Sequence, residues 1–473
     1  MRQLSGLDTS FLAMETPTTY GHVAGLLVLD PSGLDQPFGS RVREVLRQRL
    51  HLLGPFRWRL VEVPFGMDRP YWVNDPDFDL DFHVRQISLP APGTQEQLDD
   101  LVSRLVAQPL DRRRPLWEAY VIDGLEDGLI AFLAKMHHAA VDGVAGLELL
   151  SAVMDLEPEP SDAGSADDDW TPERLPRHWE MLSRGYLGLA RRPERLWRAQ
   201  RQAWQAFRGR PRLTGSGGRG MLGALPPLPP SPAPRTPFNR AITGRRRFAC
   251  GTLDLDAVKA VKNAHGTTVN DVVLALCTGA LRRWLADHGE VPADPLRAVV
   301  PVSVRTAGAE AGQGGFGNRV SMMLVPLPTP EADAAEQLRQ VQVAAAAAKD
   351  RFEAVPAELL QDFTLFATPA VMAQAARAVA ALRLADVIDP PANLVVSNVP
   401  GPGFPLYCAG ARLVALYPIS AIADGMGLNI TVMSYLGTLH FGLVACPELV
   451  PDLPRIVEYL HDALDELTAT AAR

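Results

Sequence analysis

The stretch that decides the fold runs from residue 129 to residue 154. It reads LIAFLAKM at 129–136, HHAAVDG at 137–143 and VAGLELLSAVM at 144–154. The first part is an apolar run typical of a buried strand, and the last part predicts a helix. The two histidines therefore stand at a strand-to-helix corner, where a side chain is held rigidly and still faces a cleft. Because neutral imidazole accepts a proton near neutral pH, His138 is a candidate general base.

Size and composition indicate a globular protein with two domains. The chain has 473 residues, of which 47% are apolar and 21% are charged, and its net charge is −8. One hydrophobic core rarely grows to that size. The acidic net charge gives no bias toward nucleic acid, which we do not expect as a partner. Four cysteines without a CxxC pair predict reduced thiols in a cytosolic protein, and neither a secretory signal nor a membrane span is predicted.

Two α/β halves are separated by a segment of different composition. Residues 157–170 are acidic, 171–212 carry eleven arginines against three glutamates with interleaved aromatic residues, and 213–237 are rich in glycine and proline. Such composition is typical of linkers, apart from the basic part, which has a helical pattern. We therefore predict domains at 1–155 and 238–473, joined by a linker at 156–237 that contains the basic Arg/Trp segment.

Hydrophobic periodicity predicts the individual elements. The predicted strands are His22–Asp30, Trp58–Val63, Gly128–Met136, Ala298–Val304, Asn393–Ser397, Arg412–Tyr417, Leu428–Tyr435 and His440–Ala445. The predicted helices are Arg41–His51, Thr94–Gln108, most of 253–286, 331–352, 356–386 with a break near Pro369, and a last helix after Glu448. The apolar helix 356–386 is predicted to be core, with the wall of a ligand tunnel as the alternative.

Eight further blocks accompany the HHxxxDG motif. They are LSGLDTSFLAME at 4–15, PLW at 115–117, PRTPFN at 234–239, TVNDVVLA at 268–275, PVSVR at 301–305, GN at 317–318, SNVPGP at 397–402 and GLNI at 427–430. In their order and spacing, the chain resembles the bacterial bifunctional wax ester synthase/diacylglycerol acyltransferase family over nearly its whole length. That family belongs to the CoA-dependent acyltransferases with the chloramphenicol-acetyltransferase-like fold.

The resemblance implies both a fold and a reaction. The fold would be α/β, with two chloramphenicol-acetyltransferase-like domains of mixed sheets, a long crossover linker and an active-site channel between the halves. The reaction would move a fatty acyl group from acyl-CoA to diacylglycerol or to a long-chain alcohol. His138 would take the hydroxyl proton. No acyl-enzyme is expected, since the chain has no Gly-x-Ser-x-Gly elbow. Acyl-CoA would be a co-substrate, and no cofactor is expected.

The residues around His138 receive supporting roles. His137 is expected to position the site. A metal role for the two histidines is not expected, because neighbouring side chains on an extended backbone diverge. Gly143 frees the backbone for a close approach. In the superfamily that the chain resembles, the aspartate matching Asp142 pairs with an arginine to hold the loop, and Arg305 is the candidate partner.

Other blocks have a functional and a structural interpretation. Asn270 could donate to the developing oxyanion, but Asn270 and Asp271 are also residue types that cap helices. Pro115 and Trp117 predict a rigid turn with a buried indole, with acyl-chain contact as the alternative. Ser397 and Asn398 are predicted to lie in a turn after a strand, where they could approach the pantetheine arm of CoA.

The basic segment 171–212 leaves two interpretations open. It predicts either a solvated helix pair or an element that binds a membrane surface, with arginines for anionic headgroups and tryptophans for the interfacial zone. The substrates implied by the resemblance are insoluble in water, so a cytoplasmic protein would meet them at the inner membrane face or at a lipid droplet. The sequence does not predict the oligomeric state, the preferred acceptor or the acyl chain length.

Two alternatives share the motif or the fold. Condensation domains and polyketide-associated acyltransferases also carry HHxxxDG, but they act on carrier-protein thioesters. A paralogue that binds lipid without turnover would keep the fold alone. The lipid-family blocks argue against the first alternative, and the intact His138, Asp142 and Gly143 argue against the second.

Overall fold

The computed structural model describes residues 1–140, 153–161, 170–190, 232–289, 291–303, 320–353 and 369–471. Strands in these ranges form three sheets with three, six and seven strands. The bounds of the strands are β1 Arg2–Gln3, β2 His22–Asp30, β3 Trp58–Val61, β4 Tyr71–Asn74, β5 Val84–Ser88, β6 Trp117–Asp123, β7 Ile130–His137, β8 Met154–Asp155, β9 Arg247–Asp254, β10 Leu296–Ser303, β11 Val320–Leu327, β12 Leu394–Val399, β13 Tyr407–Cys408, β14 Ala411–Ile419, β15 Leu428–Tyr435 and β16 Thr438–Ala445.

Ten helices accompany the sheets in the described ranges. Their bounds are α1 Gly6–Met14, α2 Phe38–Arg49, α3 Leu80–His83, α4 Gln95–Val106, α5 His178–Ala190, α6 Leu255–His265, α7 Val269–Asp287, α8 Ala334–Glu353, α9 Pro369–Ala381 and α10 Leu453–Ala471. None of the helices in the described ranges is long and apolar enough to cross a membrane.

Both large sheets are mixed, as predicted. The six-stranded sheet has the order β11-β10-β12-β15-β16-β9, in which the β10–β12 and β12–β15 pairs are parallel. The seven-stranded sheet has the order β5-β6-β7-β2-β14-β13-β8, in which only β5–β6 is parallel. The α/β class with two domains is thereby confirmed, whereas the channel between the halves stays a prediction.

Strand β14 ties the two halves together. It follows the C-terminal strand β12 in the chain, yet it pairs with β2 of the N-terminal half, from Arg412 opposite Asp30 to Ile419 opposite Ala24. The pairing places β2 inside the sheet, and two hydrophobic clusters bury Leu26 and Leu29 completely on its opposite sides. The predicted domains 1–155 and 238–473 are continuous segments of the chain. They did not include the pairing of β14, from the second segment, with β2 of the first.

The hydrophobic core also crosses between the halves. One cluster lies inside the C-terminal half, around Trp284 of α7. Another combines Leu98 and Val102 of α4 with Phe248 and Val444 of the C-terminal sheet. Burial of apolar surface contributes about 25 cal/mol per Å², so this shared cluster stabilises the docking of the halves as well as each half.

The predicted elements agree closely with the observed ones. Strands His22–Asp30 and Leu428–Tyr435 have the predicted bounds. Strand β12 continues two residues beyond Ser397, so Ser397 and Asn398 lie on the strand and not in the turn. Of the predicted helix 356–386, only residues from 369 onward are described. The core interpretation is wrong for α9, because none of its residues is fully buried. The predicted helix 144–154 lies mostly outside the described residues, and its last residue, Met154, is in β8.

Candidate active site

Two backbone hydrogen bonds hold the histidine pair at the end of β7. The amide of His137 donates to the carbonyl of Leu116 at 2.9 Å, and the amide of His138 donates to the carbonyl of Gly21 at 2.9 Å. The chain then turns, with the amide of Ala140 donating to the carbonyl of His137 at 2.9 Å. The end of strand β7 therefore lies between the PLW segment and Gly21, which precedes β2. These contacts fix the backbone positions from which the two imidazole side chains project.

The imidazole of His138 is uncharged at neutral pH and is partly exposed. Its ring stacks on the ring of Phe11 in α1, with centroids 4.8 Å apart and planes 10° apart. Burial, with a smaller contribution from His137, lowers the pKa of His138 to about 4. Desolvation disfavours the charged form of a base, so the ring is unprotonated at neutral pH. The unprotonated ring is the form that can accept a proton.

His137 is buried and faces a carboxylate. Its Nδ1 accepts a hydrogen bond from the amide of Ala139 at 3.0 Å. The other ring nitrogen, Nε2, lies 3.2 Å from Oε1 of Glu15. Each ring nitrogen of His137 therefore has one neighbour. Nδ1 meets the backbone amide of Ala139, and Nε2 faces the carboxylate of Glu15, which follows α1.

Glu15 joins four segments of the chain at this point. Its Oε1 accepts the amide of Gly21 at 2.7 Å, and its Oε2 accepts Nε and Nη2 of Arg112 at 3.2 and 2.7 Å. Burial by itself raises the pKa of Glu15. His137, the amide of Gly21 and Arg112 outweigh that effect and lower the pKa to about 2. The carboxylate therefore stays charged at any working pH.

Gly21 is required by the close approach of these groups. A Cβ at this position would lie 2.6 Å from Nε2 of His137 and 3.4 Å from Oε1 of Glu15. Real Cβ atoms do not approach a ring nitrogen that closely, so any larger residue must displace His137 or the carboxylate.

Buried polar groups continue along the sheet from His137. His22 stands opposite His137 in the β2–β7 ladder, and its Nε2 lies 2.8 Å from the carbonyl of Val106. Lys135 is completely buried, and its Nζ donates to the carbonyls of Leu105 and Gln108 and to Glu118 at 3.0 to 3.2 Å. A buried ammonium is tolerated only with such partners, and here it also satisfies carbonyls at the end of α4.

The PLW segment lies beside the histidines and its indole is buried. Nε1 of Trp117 donates to the carbonyl of Phe56 at 2.9 Å, and the indole stacks on Phe56 and His83 with centroids 4.3 and 4.5 Å away. Pro115 is also buried. This geometry is that of the rigid turn with a buried indole, and contact with an acyl chain stays a prediction.

The predicted residues of the C-terminal half meet at a second location. Thr268 and Asp271 form a reciprocal capping box at the start of α7, with Oδ2 of Asp271 accepting the Thr268 amide at 2.9 Å and the hydroxyl at 2.8 Å. The neighbouring Asn270 has its Oδ1 3.5 Å from Nδ2 of Asn398 on β12. The structure thus brings Asn270 and Asn398 together, while Asp271 caps the helix.

Three predicted residues cannot be placed. Asp142, Gly143 and Arg305 lie outside the described residues, and the proposed Asp142–Arg305 pair stays a prediction. In the described part of the chain, no group of three or more His, Cys, Asp or Glu side chains is arranged to hold a metal ion.

Sequence reasoning missed the residues that hold His137. Glu15 and Phe11 lie in the block LSGLDTSFLAME, which was singled out without a role for either side chain. Arg112 and Gly21 carried no signal at all, because nothing in a single sequence connects residues 21 and 112 with residue 137. The only available hint was an acidic residue at the end of a block that resembles a family motif.

Comparison with known proteins identifies the family. The model of the wax ester synthase/diacylglycerol acyltransferase catalytic domain matches residues 4–273, and that of the WS/DGAT C-terminal domain matches residues 316–468. A protein of Mycobacterium tuberculosis H37Rv named as a diacylglycerol O-acyltransferase is 36% identical over 469 residues, covering 99% of this chain and 90% of the relative. A second one, tgs2 of the same strain, is 36% identical over 480 residues, covering 97% of each chain.

Solved structures agree with this result. The wax ester synthase/diacylglycerol acyltransferase from Marinobacter aquaeolei VT8 superposes with a TM-score of 0.72 at 30% identity, covering 100% of both chains. The first condensation domain of the calcium-dependent antibiotic synthetase gives a TM-score of 0.54 at 15% identity over 99% of this chain and 97% of that one, which shows a shared fold alone.

The fold and the histidine corner define a two-domain acyltransferase. The chain belongs to the wax ester synthase/diacylglycerol acyltransferase family. Its membership confirms the resemblance and places the chain with the lipid acyltransferases, not with the condensation domains.

Proposed function

We propose that this acyltransferase moves a long-chain acyl group from acyl-CoA to the hydroxyl of diacylglycerol or of a long-chain alcohol, with His138 as the general base. The observation that carries the proposal is the imidazole of His138, which is uncharged, partly exposed and fixed at a strand end by its backbone and by Phe11. The family assignment supplies the class of reaction.

The proposed reaction has one chemical stage without a covalent enzyme intermediate. His138 accepts the hydroxyl proton while the acceptor oxygen forms a bond with the thioester carbonyl carbon. The tetrahedral intermediate then expels the CoA thiolate, the C–S bond breaks, and the imidazolium returns the proton to sulfur. Positioned general-base catalysis contributes roughly 10²–10⁴-fold to such a rate.

His137 and Glu15 support this role without touching the substrate. Because His137 is buried between the amide of Ala139 and the carboxylate of Glu15, its ring stays in one orientation. The turn that carries His138 is anchored on the ring and carbonyl of His137. We therefore assign Glu15 and His137 as positioning residues for His138.

Asn270 and Asn398 are the proposed polar contacts on the C-terminal half. Asn270 stands on the first turn of α7 and Asn398 near the end of β12, both partly exposed. An amide can donate a hydrogen bond to a developing oxyanion or to the pantetheine arm. Ser397 lies beside Asn398 and keeps its predicted role in substrate binding.

The acceptor is proposed to arrive from a lipid surface. Diacylglycerols and long-chain alcohols partition into membranes at about 0.8 kcal/mol per buried CH₂. The protein would therefore act at the inner membrane face or at a lipid droplet as a peripheral protein of the cytoplasm.

A product assay tests the proposal. Purified protein is incubated with palmitoyl-CoA and either dioleoylglycerol or hexadecanol, and triacylglycerol, wax ester and free CoA are measured. His138→Ala should lose product, whereas His461→Ala, which removes an exposed histidine of α10, should not. Equal turnover by His138→Ala would contradict the role of His138. Turnover with an acyl carrier protein donor but not with acyl-CoA would contradict the donor.

A further inference from the structure

A short loop, residues 16–20, joins the two residues that hold the histidine pair. It begins after Glu15 and ends before Gly21, and we call it the α1–β2 loop. The loop is a compact turn, because the amide of Thr16 donates to the carbonyl of Thr19 at 3.0 Å and the Thr16 hydroxyl accepts the Thr19 amide at 3.0 Å. A displacement of this turn is therefore passed on to both of its ends.

The C-terminal half reaches the α1–β2 loop through one arginine. Arg246 directly precedes β9, and its Nη2 donates to the carbonyl of Thr18 at 2.6 Å. Its guanidinium carbon also lies 4.7 Å from the centre of the Tyr20 ring, which is within the range of attraction between a cation and an aromatic face. The loop is thereby held, at one carbonyl and at one side chain, from the opposite half of the protein.

The side chain of Tyr20 makes a second contact between the halves. Its hydroxyl oxygen lies 3.1 Å from the carbonyl oxygen of Gly244, and a Cβ on Gly244 would lie only 2.9 Å from that hydroxyl. The ring also stacks on His22 at the start of β2, with centroids 5.5 Å apart and planes 11° apart. Because His22 stands opposite His137 in the β2–β7 ladder, Tyr20 lies between Arg246 and the strand next to the histidine pair.

The burial of Arg246 is costly, and its own half does not account for it. Only 8% of its surface is exposed, and all the hydrogen bonds that it donates within the described residues go to the carbonyls of Thr18, Thr243 and Arg245. Burial lowers the pKa of the guanidinium, so its charge is less well stabilised than in water. An apolar side chain would fill the same position at a lower cost. The arginine is explained by the loop carbonyl that it holds.

Glu15 is thus held from both halves of the protein. Arg112 of the N-terminal half binds its carboxylate directly, at 2.7 Å. Arg246 of the C-terminal half holds the loop that follows Glu15, and at the far end of that loop the carbonyl of Gly21 accepts the amide of His138. The docking of the two halves and the position of His138 are linked through this loop.

We propose that Arg246 is a positioning residue for acyl transfer: it holds the α1–β2 loop from the C-terminal half, and the two ends of that loop, Glu15 and Gly21, then fix His137 and the backbone of His138. The inference rests on the proposed function, since it takes His138 as the base. The contribution of Arg246 comes through the loop and not through contact with the reacting atoms.

A double-mutant cycle tests this link. Arg246→Met removes the donors and keeps an unbranched side chain, and it should lower kcat by about tenfold with a nearly unchanged KM for acyl-CoA. Because residues that act through one path are not additive, Arg246→Met added to Glu15→Gln should slow the enzyme by less than about threefold further. A larger further loss, or wild-type kcat in Arg246→Met alone, would overturn the proposal. Rates are measured at a temperature at which circular dichroism shows each variant folded.

Two control variants separate the loop from the docking of the halves in general. Ser103→Ala removes the hydroxyl that accepts the amide of Phe248 at 2.8 Å, a contact between α4 and β9 that also joins the halves. It should lower Tm and leave kcat unchanged. Arg245→Met removes an exposed arginine that pairs with Glu448 at 3.0 Å, and it should change neither quantity. A loss of kcat in Ser103→Ala as large as that in Arg246→Met would overturn the assignment to the loop.

Hydrogen exchange gives a readout that does not depend on turnover. Glu15 accepts the amide of Gly21, and peptides that cover residues 16–22 should exchange about threefold faster in Arg246→Lys, which keeps the charge but offers fewer donors. Unchanged exchange in that variant would overturn the link. Additive effects together with an inactive His138→Ala would contradict the role of Arg246 alone. Full activity of His138→Ala would contradict the proposed function and leave the cycle and the exchange result valid.

Discussion

Oε1 of Glu15 lies 3.2 Å from Nε2 of His137, and through this contact the residue that follows α1 fixes the ring next to the proposed base. The same oxygen accepts the amide of Gly21, whose carbonyl accepts the amide of His138. One carboxylate thus controls both the ring of His137 and the backbone of His138. The arrangement makes Glu15 the most informative position for mutation outside the HHxxxDG motif.

Glu15→Gln should lower kcat with little change in KM for acyl-CoA. The amide keeps the size of the side chain but loses the charge that holds His137 and Arg112, and we expect a loss of roughly 10- to 100-fold. The kinetic measurement is a full kcat and KM determination. Glu62→Gln is the matched control, because Glu62 also binds Arg112, at 2.7 Å, but is 60% exposed. A similar loss in both variants would show that Arg112, not His137, is what Glu15 serves.

Gly21→Ala should reduce activity strongly, because the new Cβ would lie 2.6 Å from Nε2 of His137. Overpacking of this kind costs about 1–3 kcal/mol, and here the strain falls on the positioning residue. Gly25→Ala on the adjoining strand β2 is the control, since its Cβ would meet Leu416 and Leu27 at ordinary distances of 3.7 and 3.8 Å. Thermal unfolding and kcat/KM should both separate the two variants, and equal behaviour would contradict the close approach.

The pH dependence of kcat/KM should lack an acid limb near pH 6.5. Burial lowers the pKa of His138 to about 4, so the base is lost only as the pH falls through that value. Activity with a soluble acceptor should stay level from pH 8 to pH 6 and decline towards pH 4. Tryptophan fluorescence over the same range reports whether the protein remains folded. An acid limb at the ordinary histidine pKa would contradict this prediction, because it would show that burial does not lower the pKa of the base.

Stability should decrease from pH 7 to pH 5. Burial lowers the pKa of His22 to about 3 and the pKa values of His83 and His440 to about 4. An unfolded chain binds these protons near pH 6.5, so it binds more protons than the folded chain between pH 6.5 and 4, and the free energy of unfolding falls in that window. Asp99, whose pKa burial raises to about 7, and Asp424, whose pKa burial also raises, oppose the trend.

His440→Phe tests the contribution of one buried histidine to that trend. Phenylalanine keeps a ring beside Tyr417, whose ring centroid lies 5.4 Å away, and removes the titrating group. The loss of unfolding free energy between pH 7 and pH 5 should shrink by about 2 kcal/mol. Denaturant titrations at the two pH values measure it, and an unchanged difference would show that His440 does not contribute.

Asp271→Ala and Asn270→Ala should have different effects. Removing Asp271 breaks the capping box with Thr268 at the start of α7, which should cost about 1 kcal/mol and lower Tm. Removing Asn270 leaves the cap in place and should lower kcat/KM with an unchanged Tm. Differential scanning fluorimetry and steady-state kinetics on the same preparations distinguish the two outcomes. A fall of Tm alone in Asn270→Ala would assign that residue to the cap.

Much of the local structure could be predicted from the sequence. The apolar run before His137 is strand β7, and the alternating runs at 22–30 and 428–435 are strands with the predicted bounds. These patterns are local, because a strand or helix is specified by which residues within a few positions must be buried. The prediction of His138 as the general base was local too, because it depended on the residue types within the short motif 137–143.

Long-range contacts could not be predicted. Nothing in residues 411–419 indicates that β14 pairs with β2 of the N-terminal half. Lys135 interrupts an apolar pattern, and only the folded chain supplies Glu118 and the carbonyls of α4 that make its burial tolerable. Helix α9 has an apolar sequence typical of core, yet it packs at the surface on α1.

The sequence by itself determined the elements, the family and the identity of the proposed base, because each depends on residues that are close together in the chain or on blocks in a fixed order. Only the tertiary structure decided that Glu15, Gly21 and Arg112 meet at His137, and that Arg246 reaches the α1–β2 loop. Contacts between residues far apart depend on how whole sheets and helices dock, which is set by the fit of their buried surfaces and not by any local pattern.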